Sequence, residues 1–256
     1  MMKTAVAVRR GTSHLLRGAP CQDSAAGTSQ RPCAAVALCD GAGSRENSEL
    51  AAQRLCTLAA EWLPEAFDEL YALEEDDAAA AILREGLAQL DALAMTRDEC
   101  LCTFLAFARH EDGRWLMAHI GDGYIFAPDE VLSYPENGMY ANETYFFSGP
   151  HAAEHLRVKK GFDSGATAVL LTSDGCGDSL YDQPADRPSP AVRKLCLGLG
   201  SHTEEEAREA LAYNLSEVFA GRSDDDLSLA LLWCAPPESA FSTDFPGEMP
   251  ERRDPE

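Results

Sequence analysis

Apolar residues change their period several times along this chain, and each change predicts an element. Residues 3–8 alternate and predict a first strand. Residues 34–39 (Ala-Ala-Val-Ala-Leu-Cys) form an unbroken apolar run that reads as a buried strand. Over 44–63 the period lengthens, with Ala51, Leu55, Leu58 and Trp62 at helical spacing. A second helix is predicted over 76–94, with Leu83, Leu87, Leu90 and Ala94 on one face. The segments 101–109, 114–120 and 123–127 then read as a meander, with Gly113 in its first turn and Gly121-Asp122-Gly123 forming its second. A strand at 168–173, helices near 188–198 and 203–220, and a strand at 227–234 complete the pattern.

The rest of the chain predicts irregular structure. Residues 11–30 are rich in turn residues, around Gly11, Gly18-Ala-Pro20 and Gly27. Residues 128–165 are polar and aromatic and read as loops. Residues 176–190 carry several Pro and Asp and suit a mobile surface flap. From Pro236 the chain is Pro-rich and charged, which predicts a disordered tail over 236–256 after one domain over 1–235. The order is strands, two helices, many strands, two helices and one strand. It departs from the βαβα alternation of a doubly wound fold and predicts an α+β antiparallel sandwich with helices on its outer faces.

Charge narrows the functional classes. With 43 Asp and Glu against 21 Lys and Arg, the formal charge is −22. That opposes binding to nucleic acid, which needs clustered cations, and to an anionic membrane surface. The nine cysteines are scattered, without a Cys-x-x-Cys pair, and the N-terminal apolar run is too short for a signal peptide. Together these predict reduced thiols in a cytoplasmic protein.

The candidate chemistry lies in aspartates at strand ends. The run 34–39 leads into Asp40-Gly41, the run 169–173 leads into Asp174-Gly175, and Asp224-Asp225-Asp226 precedes the last strand. Asp23 sits in an early loop and Asp122 in a tight turn. If these strands lie side by side, several carboxylates meet at one end of a sheet. They repel unless a cation sits between them, and hard oxygen donors favour Mg²⁺ or Mn²⁺. Asp-Gly is also an ordinary turn pair.

Other patterns compete. Cys39 and Arg45 have the Cys-x5-Arg spacing of a thiolate phosphate loop, although the adjacent Asp40 opposes thiolate formation. His151 and His155 stand four apart, as metal ligands on a helix or as a solvated face. His14 and Arg17 are candidates to bind phosphate, with His14 also able to protonate a leaving group; both are equally surface-loop residues. Tyr140, Tyr145, Phe146 and Phe147 form an aromatic group around Asn142-Glu143-Thr144, as core under a loop or as a substrate rim.

Taken in order, Gly11-Thr-Ser-His14, Cys21-Gln-Asp23, Asp40-Gly-Ala-Gly-Ser44, Ile120-Gly-Asp-Gly123, Thr172-Ser-Asp-Gly175 and Asp225-Asp-Leu-Ser228 resemble the metal-dependent PP2C (PPM) serine/threonine protein phosphatases. Asn142-Glu143-Thr144 and the histidine-bearing start look most like a bacterial branch, and the resemblance spans about 5–235. It implies a PP2C-like α-β-β-α sandwich, two packed antiparallel sheets flanked by helices. It also implies two Mn²⁺ or Mg²⁺ ions, with Asp40 bridging both and Gly41 lending its carbonyl. Asp174 and Asp225 would complete one ion, and Asp122 would hold a weaker third. Gln22 and Asp23 fall where the family has Glu-Asp, contacting metal-bound water, and Asp226 stands behind the ligands. The implied activity is hydrolysis of phosphoserine and phosphothreonine by a metal-bridging water, with Asp40, Asp23 and His14 as catalytic residues and a phosphoprotein as substrate. A Ser/Thr kinase is the expected opposing partner.

Three departures from the family pattern matter. Gly18 occupies the place of the phosphate-binding Arg, with Arg17 one residue away; Gln22 replaces a carboxylate; Ala42 replaces a histidine proposed as general acid. They keep open a non-catalytic module of the same fold that binds metal or a phosphoprotein.

Overall fold

A computed structural model describes residues 1–138, 144–163, 165 and 167–235. The chain opens with β1 (Met2–Arg9), α1 (Thr12–Arg17), β2 (Asp23–Thr28) and β3 (Cys33–Asp40). Three helices follow: α2 (Ser48–Glu65), α3 (Phe67–Ala72) and α4 (Glu75–Asp91). The middle holds β4 (Phe104–His110), β5 (Arg114–Ile120), β6 (Tyr124–Phe126), β7 (Val131–Ser133), α5 (Ala152–His155), β8 (Arg157–Phe162) and β9 (Thr167–Thr172). The chain closes with α6 (Asp174–Leu180), β10 (Tyr181–Asp182), β11 (Arg187–Pro188), α7 (Pro190–Ser201), α8 (Glu204–Asn214) and β12 (Leu227–Cys234).

Two five-stranded sheets result, ordered β1-β12-β9-β6-β7 and β2-β3-β4-β5-β8, and β10 pairs with β11 apart from them. Every paired neighbour is antiparallel. The α-β-β-α layering explains why the central strands are apolar without a break. In β3, Val36 and Leu38 face the other sheet, while Ala35, Ala37 and Cys39 face α2. In β12, Ala230 and Leu232 face between the sheets, while Leu229 and Leu231 face α7 and α8. Successive side chains of a strand point to opposite faces, so a strand buried on both sides must be apolar at every position. Each fully buried Leu or Phe in these layers contributes about 1.5–3 kcal/mol.

Small residues set the helix spacing. Ala51, Ala52, Cys56, Ala59 and Ala60 give α2 a low-relief face that lies close against β3, with Leu55 and Leu63 filling the gaps. No helix among the described residues is long and apolar enough to cross a membrane.

The structure corrects several sequence expectations. Residues 11–30 contain α1 and the edge strand β2, whose sequence Asp-Ser-Ala-Ala-Gly-Thr carries almost no hydrophobic signal. Within 128–165 lie β7, α5 and β8; β8 (Arg-Val-Lys-Lys-Gly-Phe) reads as polar because it too is an edge strand. The flap expected at 176–190 begins inside α6, where Cys176 and Leu180 are core residues, and continues into the β10–β11 hairpin. The tail expected at 236–256, and Tyr140, Asn142 and Glu143, lie outside the described residues.

Candidate metal centre

Register alone gathers the aspartates. Asp23 opens β2 directly opposite Asp40, which ends β3. Thr172 of β9 pairs with both Tyr124 of β6 and Leu229 of β12. Asp122 lies two residues before Tyr124, Asp174 two after Thr172, and Asp225 four before Leu229, so all three reach the same end of their sheet. Electrostatics join the two sheets: Asp23, Asp174, Asp122 and Asp225 all act on Asp40.

Asp226 is the organising residue. Its side chain is 2 % exposed and accepts three hydrogen bonds: from the Gly11 amide (2.7 Å), the Gln22 amide (2.6 Å) and His14 Nδ1 (2.8 Å). It therefore ties the start of β12 to α1 and to the residue before β2. Asp224 adds two contacts, accepting from Thr12 Oγ1 (2.6 Å) and, through its carbonyl, from the Ser13 amide (3.0 Å). This close approach needs glycine. A Cβ on Gly11 would lie 2.3 Å from the Asp225 carbonyl carbon, and one on Gly175 would lie 2.2 Å from the Asp226 oxygen.

Asp23 is buried. Its Oδ2 accepts from Ser228 Oγ (2.6 Å), which also bonds Ser173 Oγ (3.0 Å), while its Oδ1 has no partner among the described residues. Burial pushes its carboxyl up to about 7, against the serine hydrogen bonds that pull it down. Asp40 is half-buried, held through its amide by Thr103 Oγ1 (2.9 Å) and through its carbonyl by the Thr103 amide (2.8 Å). Desolvation and then the four neighbouring carboxylates push its carboxyl well above the usual range. Asp174 keeps an open edge to solvent; desolvation and then the charges of Asp122 and Asp225 push it up to about 7. Desolvation and then Asp225 raise Asp122. Asp225 is exposed and accepts from the Asp226 amide (2.9 Å).

This donor set fits a hard divalent cation. All its side-chain donors are carboxylate oxygens, one of them orphaned and buried. None of Asp40, Asp122, Asp174 and Asp225 pairs with Lys, Arg or His among the described residues. No three acidic, His or Cys side chains among the described residues close on a single point. Mg²⁺ needs no such cage, because it binds through one or two carboxylates and keeps several waters.

A pocket of about 330 Å³ is lined by His14, Arg17, Gln22, Arg45, Glu46 and Glu49 among others; Gln22, next to Asp23 in sequence, is its link to the aspartates, none of which lines it. Arg17 is exposed on α1, with its Nε donating to the Ser13 carbonyl (3.1 Å), and Gly18 ends the helix in the left-handed region at φ 69°. The Gln22 side chain braces the loop after β3, its Nε2 donating to the Arg45 carbonyl (2.8 Å) and to Ser48 Oγ (2.7 Å). Gly41 is fixed in the same place by its amide, which donates to the Gln22 carbonyl (3.1 Å).

Competing patterns separate. Cys39 is fully buried on the helix-facing side of β3, and burial holds its thiol well above 9, so no thiolate phosphate loop exists here. His155 is occupied by Glu136 (2.7 Å) and stacked on Tyr145, while exposed His151 turns to Glu154 (3.7 Å). Phe147 is core. Sequence reasoning gave Ser173, Ser228 and Thr103 no role; the first two stand within the Asp-bearing motifs, which was the available signal.

The sequence from 10 to 216 matches the family model described as protein phosphatase 2C. Comparison with curated proteins finds no match. Among solved structures, RsbX in complex with magnesium is 13% identical over 91% of this chain and 94% of its own, with a TM-score of 0.51. PppA, a key regulatory component of T6SS in Pseudomonas aeruginosa, is 15% identical over 91% and 97%, at 0.59. A bacterial serine phosphatase is 14% identical over 91% and 98%, at 0.57. At such identities the likeness is one of fold. The family model covers most of the chain, and this protein belongs to the protein phosphatase 2C family.

Proposed function

We propose that this chain is a metal-dependent protein phosphatase that hydrolyses phosphoserine and phosphothreonine in a phosphoprotein. The observation that carries the reading is the meeting of Asp23, Asp40, Asp122, Asp174 and Asp225 at one end of the two sheets. Asp40, the Gly41 carbonyl, Asp174 and Asp225 would hold two Mn²⁺ or Mg²⁺ ions, and Asp122 a weaker third. When bound, such ions supply positive charge that acidifies a water and offsets charge on the phosphoryl oxygens.

The chain's own residues have distinct tasks. Asp23 presents its free Oδ1 to the attacking water while Ser228 holds the other oxygen. With both ring nitrogens protonated and Nδ1–H donating to Asp226, His14 would pass the Nε2 proton to the departing Ser or Thr oxygen. Arg17, on the rim of the same pocket, binds the phosphate. No side chain forms a covalent intermediate, so no cysteine has to react. The nine unpaired cysteines support a cytoplasmic setting, and a Ser/Thr kinase supplying the phosphoprotein is the expected opposing partner.

One observation favours a second reading, a metal- or phosphoprotein-binding module without turnover: the Gln22 side chain is committed to the loop after β3. Hydrolysis of p-nitrophenyl phosphate and of a phosphothreonine peptide, with Mn²⁺ and with EDTA, beside Asp40→Asn, separates the two. Turnover that needs both metal and Asp40 supports the phosphatase. Tight Mn²⁺ binding without turnover of either substrate establishes the module.

A further inference from the structure

On the far side of the first sheet, α7, α8 and the turn after α8 enclose a second pocket of about 390 Å³. Its walls are apolar: Leu195, Leu199, Leu211, Phe219 and, from β12, Leu231. Val218, also in the lining, is 38 % exposed, and Leu197 on α7 is 50 % exposed. The charged groups at the pocket are all basic or neutral-to-basic: Lys194, His202 and Arg222, with no acidic residue in the lining. That is unusual for a chain with 43 acidic residues. Neither Lys194 nor Arg222 pairs with a carboxylate among the described residues, whereas the adjacent Arg193 pairs with Asp129. An apolar slot with an unpaired basic rim suits an occupant that is aromatic and acidic.

The chain carries such a segment. Residues 238–248 contain Phe241 and Phe245, four apart, together with Glu238, Asp244 and Glu248 and no Lys or Arg. Its attachment point is close to the pocket. Leu231 lines the pocket, and four residues on, the Ala235 amide donates to the Met1 carbonyl (2.9 Å). Trp233 packs against Gly200 at the end of α7, beside the lining residues Gly198 and Leu199. Five residues lie between Ala235 and Phe241, and the six Cα–Cα steps reach up to about 20 Å. We propose that the segment Glu238–Glu248 docks in this pocket of its own chain, with Phe241 and Phe245 in the apolar slot and its carboxylates on Lys194 and Arg222. Tethering makes the contact intramolecular, so weak intrinsic affinity suffices to fill the pocket. Ser179, at the other end of α6 from Asp174, also lines the pocket, so the docked segment touches the helix that carries a candidate metal ligand.

Amide hydrogen exchange of the full-length protein tests this. In low salt, Phe241→Ala/Phe245→Ala is expected to speed exchange across 191–222 about tenfold and to lower the melting temperature by a few degrees. Lys194→Glu/Arg222→Glu should do the same, and adding Glu238→Lys/Asp244→Lys to that variant should restore protection. Unchanged exchange in the phenylalanine variant overturns the proposal. Protection that rises with protein concentration also overturns it, because a second copy's segment would then fill the pocket.

Discussion

His14 Nδ1 lies 2.8 Å from Asp226 Oδ2, and both side chains are almost fully buried. With Asp226 as acceptor, Nδ1 carries a proton and Nε2 is the ring nitrogen left to carry a second one for the leaving group. The same carboxylate holds two backbone amides, so the position of the proposed proton donor and the local fold depend on one residue. Asp226→Ala would strand all three donors in a buried position, at a cost of about 3–5 kcal/mol. Urea denaturation checks this; a loss below about 1 kcal/mol would mean that the donors find water instead.

His14→Gln keeps a polar side chain at that position but cannot transfer a proton. Turnover of phenyl phosphate, whose leaving group needs protonation, should fall about 100-fold or more. Turnover of p-nitrophenyl phosphate should fall far less. An equal loss on both substrates would reassign His14 to phosphate binding.

Asp40→Asn removes one charge from a set of mutually repelling carboxylates. Turnover should fall by about 10³-fold or more, because Asp40 would be a donor to the proposed ions. The metal-free protein should nonetheless melt at a higher temperature than wild type, because like-charge repulsion has been relieved. Calorimetry in EDTA measures the second effect, and a lower melting temperature would contradict it.

Asp23 and Asp174 stand at about 7 in the folded, metal-free chain. A free aspartate titrates near about 3.9. Between those values the folded state binds more protons than the unfolded state, so metal-free stability is fullest below about pH 4 on this account and falls as pH rises to about 7. Melting curves in EDTA between pH 5 and pH 8 should therefore shift downward, and added Mn²⁺ should stabilise more at pH 8 than at pH 5. A metal-free melting temperature that rises over this range would contradict the raised carboxyl groups.

Cys39→Ala should leave turnover within a few-fold of wild type, since the thiol faces α2 and stays protonated. Iodoacetamide should not inactivate the native protein. Loss of activity in either experiment would revive a thiol mechanism.

Much of the centre was legible because strand ends are legible. Apolar runs that stop at Asp40 and Asp174 state in one dimension where a buried strand meets solvent. Edge strands were not: β2 and β8 have short sequences with few large apolar residues, and owe their existence to the hydrogen-bonding edges of β3 and β5. The role of Asp226 was equally hidden, because its partners Gly11, His14 and Gln22 lie more than 200 residues away in sequence.

By itself, then, the sequence determined the layered α+β architecture, the buried central strands and the ordered aspartates, because burial on two faces and hard-donor chemistry are written in residue type. Tertiary structure alone decided which carboxylates meet, that Cys39 faces the core while Asp40 faces the centre, and that Asp226 holds His14 in place. These depend on strand register, where a shift of one residue turns every side chain to the opposite face.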